Sequence, residues 1–442
     1  MPGIVVLNAN FVPYSLTGPF RYGATYYAFE VAKHLSQSHS FLGFILYKRD
    51  ESLNKPYVKL RDILGFNAIE MGFHYGFDPA RMKVILSQAA ETLKEAALWR
   101  SCNGDSKTKP IFYYQTNALL VFHPEAYPYV VTHHAPFTDQ VVRAMGMAHA
   151  VEGFGGGEAK LVHLKKMQQA GLAMMRYHRI GVAVELSKIQ TRYLLDRRIP
   201  NARIFRVSPP VKDHSTFCQT GNGVFQQIRE FTDRHARSLP LITAMARLDR
   251  FKNVALLVDA SVDLMKMGFP LATIIVGGIS WEDPDRQRIL EGIPSRFRPE
   301  FLFLPRLARD VMIKVFRDLV GKALFVCTSR YETCGFTPLE AACAGLAAIV
   351  PNDCNHVEAA SFFPESYRFE PNLEGLKRSI ETFYSNRDWL DIGQDFLNGG
   401  GSDGFNGFAS DFLKVWSHLS SLFRAVSAAA MPCRAPSERI SR

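Results

Sequence analysis

Short apolar runs alternate with amphipathic stretches along most of this chain, and that alternation limits its fold more than any other feature. Runs such as Ile4–Asn8, Phe41–Tyr47, Ile111–Tyr114, Tyr129–His133, Gly181–Val184 and Ile204–Val207 lack the polar/apolar alternation of a one-sided strand. They read as strands of a parallel sheet buried on both faces. Between the first two, Tyr27, Val31 and Leu35 recur every four residues with Ala28 and Ala32 beside them, which predicts a helix over about Ala24–Leu35. A second helix is expected over Lys160–Tyr177. After Pro209-Pro210 and a polar stretch the pattern begins again. It continues through strand Leu241–Ala246, helix Val254–Met267, strands Ala272–Val276 and Phe301–Leu304, helix Val311–Val320, strand Ala323–Cys327, helix Pro338–Ala344 and strand Ala347–Val350. The chain is therefore expected to be α/β, with two doubly wound domains over residues 1–210 and 211–400. The run Asn398–Gly404 reads as a turn, residues 401–428 as a terminal helix, and residues 429–442 as a disordered tail.

Composition removes several function classes. Hydrophobic residues make up 47% and charged residues 21%, and no run is long and apolar enough to cross a membrane. The opening residues lack the basic segment of a signal peptide, and the seven cysteines follow no metal-ligand spacing. They read as reduced thiols, so a cytoplasmic location is expected. Net charge is +10, and part of the excess falls between Lys160 and Arg206. Such a stretch is a solvated face, or it docks peripherally on an anionic membrane surface. No aromatic residues interleave with it in the manner of a nucleic-acid site, so no nucleic-acid partner is expected.

The richest segment runs from Ala323 to Val350. An apolar strand leads into a polar turn with Gly335, and a helix is expected to open with Thr337 at the N-cap, Pro338 at N1 and Glu340 at N3, a capping box. A helix start beyond the carboxyl end of a parallel strand presents free N–H groups and the positive end of the helix dipole to an anion. Glu332 and Glu340 flank that position and can accept hydrogen bonds from sugar or ribose hydroxyls. An anion cradle between two hydroxyl acceptors suits a nucleotide-sugar.

Glu332-Thr-Cys-Gly-Phe-Thr-Pro-Leu-Glu340 resembles the E-x7-E donor signature of retaining glycosyltransferases of the family 4 type, which have two Rossmann-like domains facing across a cleft (the GT-B fold). The resemblance implies donor binding in the second domain, acceptor binding mainly in the first, and a terminal helix crossing back to the first. It also implies that Glu332 holds donor sugar hydroxyls, that Glu340 holds the ribose, and that the amides near Gly335, Phe336 and Thr337 meet the diphosphate. Arg247-Leu-Asp-Arg-Phe-Lys252-Asn253 resembles the family's Gly-Arg-Leu-x-x-x-Lys-Gly segment, so Arg247 and Lys252 are implied to grip the diphosphate. Ala246 and Asn253 stand where the family has glycine. Gly277-Gly278 resembles the turn that admits the base, His134 the histidine near the transferred sugar, and Gly23 one half of the Gly-Gly loop over the phosphates, with Tyr22 replacing its partner. Other departures are Ser208-Pro-Pro-Val211-Lys212 at the domain junction, Glu185 where the family has serine after a strand, and Glu358 without its usual glycines.

By this resemblance the chain is expected to move a hexose-type sugar from a nucleoside-diphosphate sugar to an acceptor hydroxyl with retention. Asp283-Pro-Asp285 resembles a metal-binding Asp-x-Asp, but it precedes an expected helix, where acidic residues favour the dipole. With Arg247 and Lys252 at hand, neither metal nor other cofactor is expected. An inactive nucleotide-sugar-binding module and a related sugar phosphorylase remain alternatives. A dinucleotide oxidoreductase is disfavoured, because Gly153-Phe-Gly-Gly-Gly-Glu158 does not follow a strand. No motif fixes the base, the sugar or the acceptor; a small-molecule, lipid-linked or oligosaccharide acceptor is expected.

Overall fold

The computed structural model describes residues 1–9, 12, 23–38, 40–63, 65–74, 76–98, 108–178, 180–211, 222–245, 247–278, 283–386 and 407–429. The first part runs β1 (Gly3–Asn8), α1 (Gly23–Gln37), β2 (Phe41–Arg49), β3 (Tyr57–Ile63), β4 (Phe66–Phe73), α2 (Pro79–Leu98), β5 (Ile111–Tyr114), β6 (Tyr129–Val131), α3 (Thr138–Met145), α4 (Met147–Phe154), α5 (Gly157–Tyr177), β7 (Gly181–Glu185), α6 (Lys188–Asp196) and β8 (Ile204–Arg206). The strands lie side by side as β3-β4-β2-β1-β5-β6-β7-β8, parallel throughout except that β3 pairs antiparallel with β4.

The second part runs α7 (Asn222–Arg234), β9 (Leu239–Ala244), α8 (Val254–Lys266), β10 (Leu271–Val276), α9 (Pro284–Glu291), β11 (Phe301–Leu304), α10 (Arg309–Asp318), β12 (Leu324–Val326), α11 (Phe336–Cys343), β13 (Ala348–Pro351), β14 (Arg368–Phe369) and α12 (Leu373–Ser385). Its sheet is parallel in the order β11-β10-β9-β12-β13-β14. A last helix, α13 (Phe408–Ala429), packs on α1 and β7 of the first part.

Strand β1 explains why the apolar runs are continuous. Val5 and Leu7 point into one cluster with Tyr27, Val31 and Leu35 of α1, while Ile4 and Val6 point into another with Met82, Leu86 and Leu93 of α2. A strand covered on both faces has no polar side to show. Strand β3 is the opposite case. Five of its seven residues are exposed, it lies at the sheet edge, and it was not foreseen. Strands β4 and β14 and helices α2, α3, α4, α6, α7 and α12 were likewise unforeseen.

One element differs in a way that matters for the site. The N-cap of α11 is Gly335, at φ 77°, and no side chain caps it. Only glycine enters this left-handed region without strain, so the chain turns into the helix two residues earlier than expected. Pro338 falls in the first turn at N3, where its missing N–H still has no intrahelical partner. The expected capping box is absent; Glu340 pairs with Arg309 instead. The expected turn at Asn398–Gly404, the tail after 429 and the loop around Tyr22 lie outside the described residues.

Candidate functional site

Strand β9 adjoins β12 in the middle of the second sheet. From β9 the chain moves outward to β10 and β11, then returns to β12 and moves the other way to β13 and β14. Connections departing on opposite sides leave a crevice beyond the carboxyl ends of the two central strands. The loops after β9 and β12 meet there. Arg330 N–H donates to the Phe251 carbonyl at 2.7 Å and Thr328 Oγ1 to the Lys252 carbonyl at 2.9 Å. Across this seam the Lys252 ammonium pairs with the Glu332 carboxylate, which also accepts from Ser329 Oγ at 2.9 Å. Glu332 is fixed by its backbone as well: its N–H donates to the His356 carbonyl at 2.8 Å and its carbonyl accepts from Glu358 N–H at 3.0 Å. Both side chains keep some exposure, 19% for Lys252 and 17% for Glu332, so the pair borders the crevice.

Arg247 is on the same loop and more exposed, with Nε 3.0 Å from Asp249 Oδ2. Gly277 and Gly278 end the neighbouring strand β10. Gly278 sits at φ 85°, and the buried Arg286 of α9 donates to the Gly277 carbonyl at 2.6 Å. Asp283 caps α9 by accepting from Asp285 N–H at 3.0 Å, and Asp285 pairs with Arg288. The Asp-x-Asp is thus engaged in a helix start.

Glu340 is buried on α11 against Arg309 of α10. Burial raises the Glu340 carboxyl above its usual range while the guanidinium beside it pulls the other way. The Arg309 guanidinium also lies 3.7 Å from the Tyr26 ring centre and donates to the Pro210 carbonyl at 3.1 Å, so it braces both the first helix and the domain junction.

The first domain closes over this arrangement. A Cβ on Gly23, the first residue of α1, would come within 2.9 Å of the Phe336 ring, the first residue of α11. The starts of α1 and α11 therefore face one another, and a side chain at Gly23 would separate them. His134, beyond β6, accepts a hydrogen bond at its carbonyl from Thr333 Oγ1 at 2.7 Å. Its Nε2 is 3.3 Å from the Tyr113 hydroxyl, and its ring meets Tyr27 edge-on. Burial, with His133 next to it, pushes the His134 imidazole down to about 3, so it is neutral near pH 7. His133 turns away to the buried Glu185 carboxylate.

Two expectations change here. Glu185 does not replace a serine: β7 runs on through it, and Ser187 caps α6, accepting from Gln190 N–H at 3.3 Å. Glu358, which the sequence tied only loosely to the family pattern, is fully buried across the domain junction. It accepts from Ser187 Oγ at 3.0 Å and from Ile189 N–H at 3.1 Å. No local sequence signal marked Arg309, Ser187 or this role of Glu358.

The basic stretch is less free than its charge suggests. Arg176 and Arg203 donate to backbone carbonyls, Arg197 pairs with Asp139, and Arg192 donates to Asn355. Among the described residues no helix is long and apolar enough to cross a membrane.

Residues 227–391 match the family model described as glycosyl transferases group 1. No curated protein matches the sequence. Among solved structures, sucrose-phosphate synthase from Thermosynechococcus elongatus is similar over 97% of this chain and 100% of its own, with 15% identity and a TM-score of 0.60. The Anabaena protein HepE in complex with UDP and glucose is similar over 95% of this chain and 100% of its own, at 13% identity and a TM-score of 0.60. The α,α-trehalose 6-phosphate synthase of Burkholderia multivorans is similar over 98% and 99%, at 13% identity and a TM-score of 0.60. The chain thus has the two-domain GT-B fold of these glycosyltransferases, and its second domain carries the match to glycosyl transferases group 1.

Proposed function

We propose that this protein moves a hexose-type sugar from a nucleoside-diphosphate sugar to an acceptor hydroxyl, with retention of anomeric configuration and without a metal. The Lys252–Glu332 pair at the switch point of the second sheet, beside a helix start that no side chain caps, carries the reading. Bond cleavage leaves about one additional negative charge on the departing diphosphate. Lys252, Arg247 and the first amides of α11 at Phe336 and Thr337 supply positive charge and donors for it. Glu332 holds donor sugar hydroxyls, and Glu340, fixed by Arg309, is assigned to the ribose. Gly277 and Gly278 leave room for the base, and Gly23 lets α1 approach the phosphates. Neutral His134 faces the sugar as a hydrogen-bonding group rather than a charge. Retention follows the family 4 resemblance of Glu332–Glu340.

The fold relatives include one solved with UDP and glucose, so UDP-glucose is the first donor to try. The acceptor is assigned no further than a hydroxyl of a small-molecule, lipid-linked or oligosaccharide compound. Contact with an anionic membrane is a weaker part of this reading, since Arg176, Arg192, Arg197 and Arg203 have partners within the fold. A cytoplasmic enzyme is proposed.

Thermal melting with UDP, GDP, dTDP and their sugars tests the proposal, because a ligand bound only by the folded state raises the melting temperature. A rise with one diphosphate, followed by consumption of its sugar and an α-configured product from an α-configured donor, is expected. No rise with any of them would defeat the proposal. Binding without turnover over a broad acceptor panel would point to the inactive module.

A further inference from the structure

Each member of the Lys252–Glu332 pair is preceded in the chain by a buried aromatic residue. Phe251 is 4% exposed and Tyr331 3%. Both join an apolar cluster with Val141 of α3, Ala150 of α4 and Leu161 of α5, all from the first domain. The fit is close. A methyl group on Gly153 would lie 2.3 Å from Cε1 of Phe251, and the Phe154 ring meets Phe251 edge-on with centres 5.4 Å apart. The Tyr331 hydroxyl donates to Gln140 Oε1 at 2.9 Å, and Arg250 pairs with Glu152 at the rim. Phe251 and Tyr331 are also coupled, because the Phe251 carbonyl accepts the N–H of Arg330.

A ring that moves takes the next residue's backbone with it. We propose that this cluster is how the first domain sets the position of the Lys252–Glu332 pair, with Gly153, Phe251, Tyr331 and Gln140 as positioning residues. The inference rests on the function proposed above, in which Lys252 helps hold the donor diphosphate, and it assigns Lys252 to the phosphate farther from the nucleoside. Two loops of the second domain would then be fully aligned only while α3, α4 and α5 are seated on them. A misplacement of about 1 Å at a reacting centre is enough to cost about a hundredfold in rate.

Gly153→Ala is the sharp test. Gly153 lies inside α4 and is not among the positive-φ glycines, so alanine suits the helix there, and the nearest atoms its Cβ would meet are all of the Phe251 ring. Calorimetry would measure UDP, GDP and dTDP against wild type, and the tightest of these with its mononucleotide against the variants. Gly153→Ala is expected to weaken the diphosphate about tenfold and to lower kcat by a similar factor, while the mononucleotide, which does not reach Lys252, binds as before. Adding Phe251→Leu, which removes the obstructing ring edge, is expected to restore much of the loss. Should Gly153→Ala fail to fold, Tyr331→Phe removes only the hydroxyl that reaches Gln140, and a smaller loss confined to the diphosphate is expected. Wild type binding none of the diphosphates would defeat the proposed function and this inference with it. Diphosphate binding unchanged in Gly153→Ala, an equal loss for both nucleotides, or no rescue by Phe251→Leu would defeat the inference alone.

Discussion

Glu332 is held by an ammonium, a hydroxyl and two backbone hydrogen bonds, so its carboxylate has little freedom before any substrate arrives. Lys252→Ala and Glu332→Ala are each expected to lower kcat by roughly 10²–10³-fold, the scale seen when one transition-state contact is removed, with far-ultraviolet dichroism unchanged. The Arg309–Glu340 pair behaves differently because its carboxylate is buried. Arg309→Met leaves the Glu340 carboxylate without its guanidinium and is expected to destabilise by about 3–5 kcal/mol in urea unfolding, with Arg309→Met/Glu340→Met recovering much of it. The residues read most easily from sequence were those whose chemistry is local. Lys252 and Glu332 sit in short spaced patterns. Arg309 looks like any basic residue at a helix start until α11 is folded against it. Glu358 finds Ser187 across 171 residues of chain, and no window of sequence brings those two together.

Strands covered on both faces by helices were visible as apolar runs, and so most of both sheets was readable. Strand β3 was not, because its exposed residues follow no burial rule; β4 was missed because Asn67, Glu70 and Gly72 interrupt its apolar residues, and β14 because two residues carry no pattern. The pair α3–α4 was missed because each helix is short and glycines at positive φ separate them from one another and from α5: Gly146 at 80°, then Gly155, Gly156 and Gly157. Such a cluster reads as a loop. The start of α11 was misplaced for the same kind of reason, since Thr-x-x-Glu is a valid capping signal that a left-handed glycine overrode. Gly335→Ala should test this directly. It forces a side chain into a left-handed backbone, at a cost of about 1–2 kcal/mol, and brings a Cβ within 2.7 Å of Ala359 Cβ. Lower stability and weaker diphosphate binding are expected together, by thermal melting and calorimetry.

Acid should loosen the whole molecule through two imidazoles that the fold holds neutral. His123 is fully buried between the Tyr114 hydroxyl and the Tyr127 carbonyl, and burial holds it down to about 3. His134 is held equally low. Both bind protons readily once unfolded, near pH 6.5, but not while folded. Stability from this source is complete above pH 6.5 and falls as pH drops from there toward 3. The slope is about 1.4 kcal/mol per pH unit for each histidine. These two histidines should lower urea midpoints between pH 7 and 5 by the uptake of about one proton each, and His123→Asn should remove one of the two contributions.

The ends of the described chain also constrain how it forms. The Trp416 indole on α13 donates to the Met1 carbonyl at 3.0 Å, across 415 residues, and its ring lies where a side chain on Gly3 would be. Phe408 and Phe412 cover Tyr27 and Tyr113 on the same face. Strand β1 emerges during synthesis long before α13, and that face is shielded from water only once α13 follows it. A nascent chain arrested ahead of α13 would carry an uncovered aromatic surface, a ready target for chaperones, however complete its two sheets were.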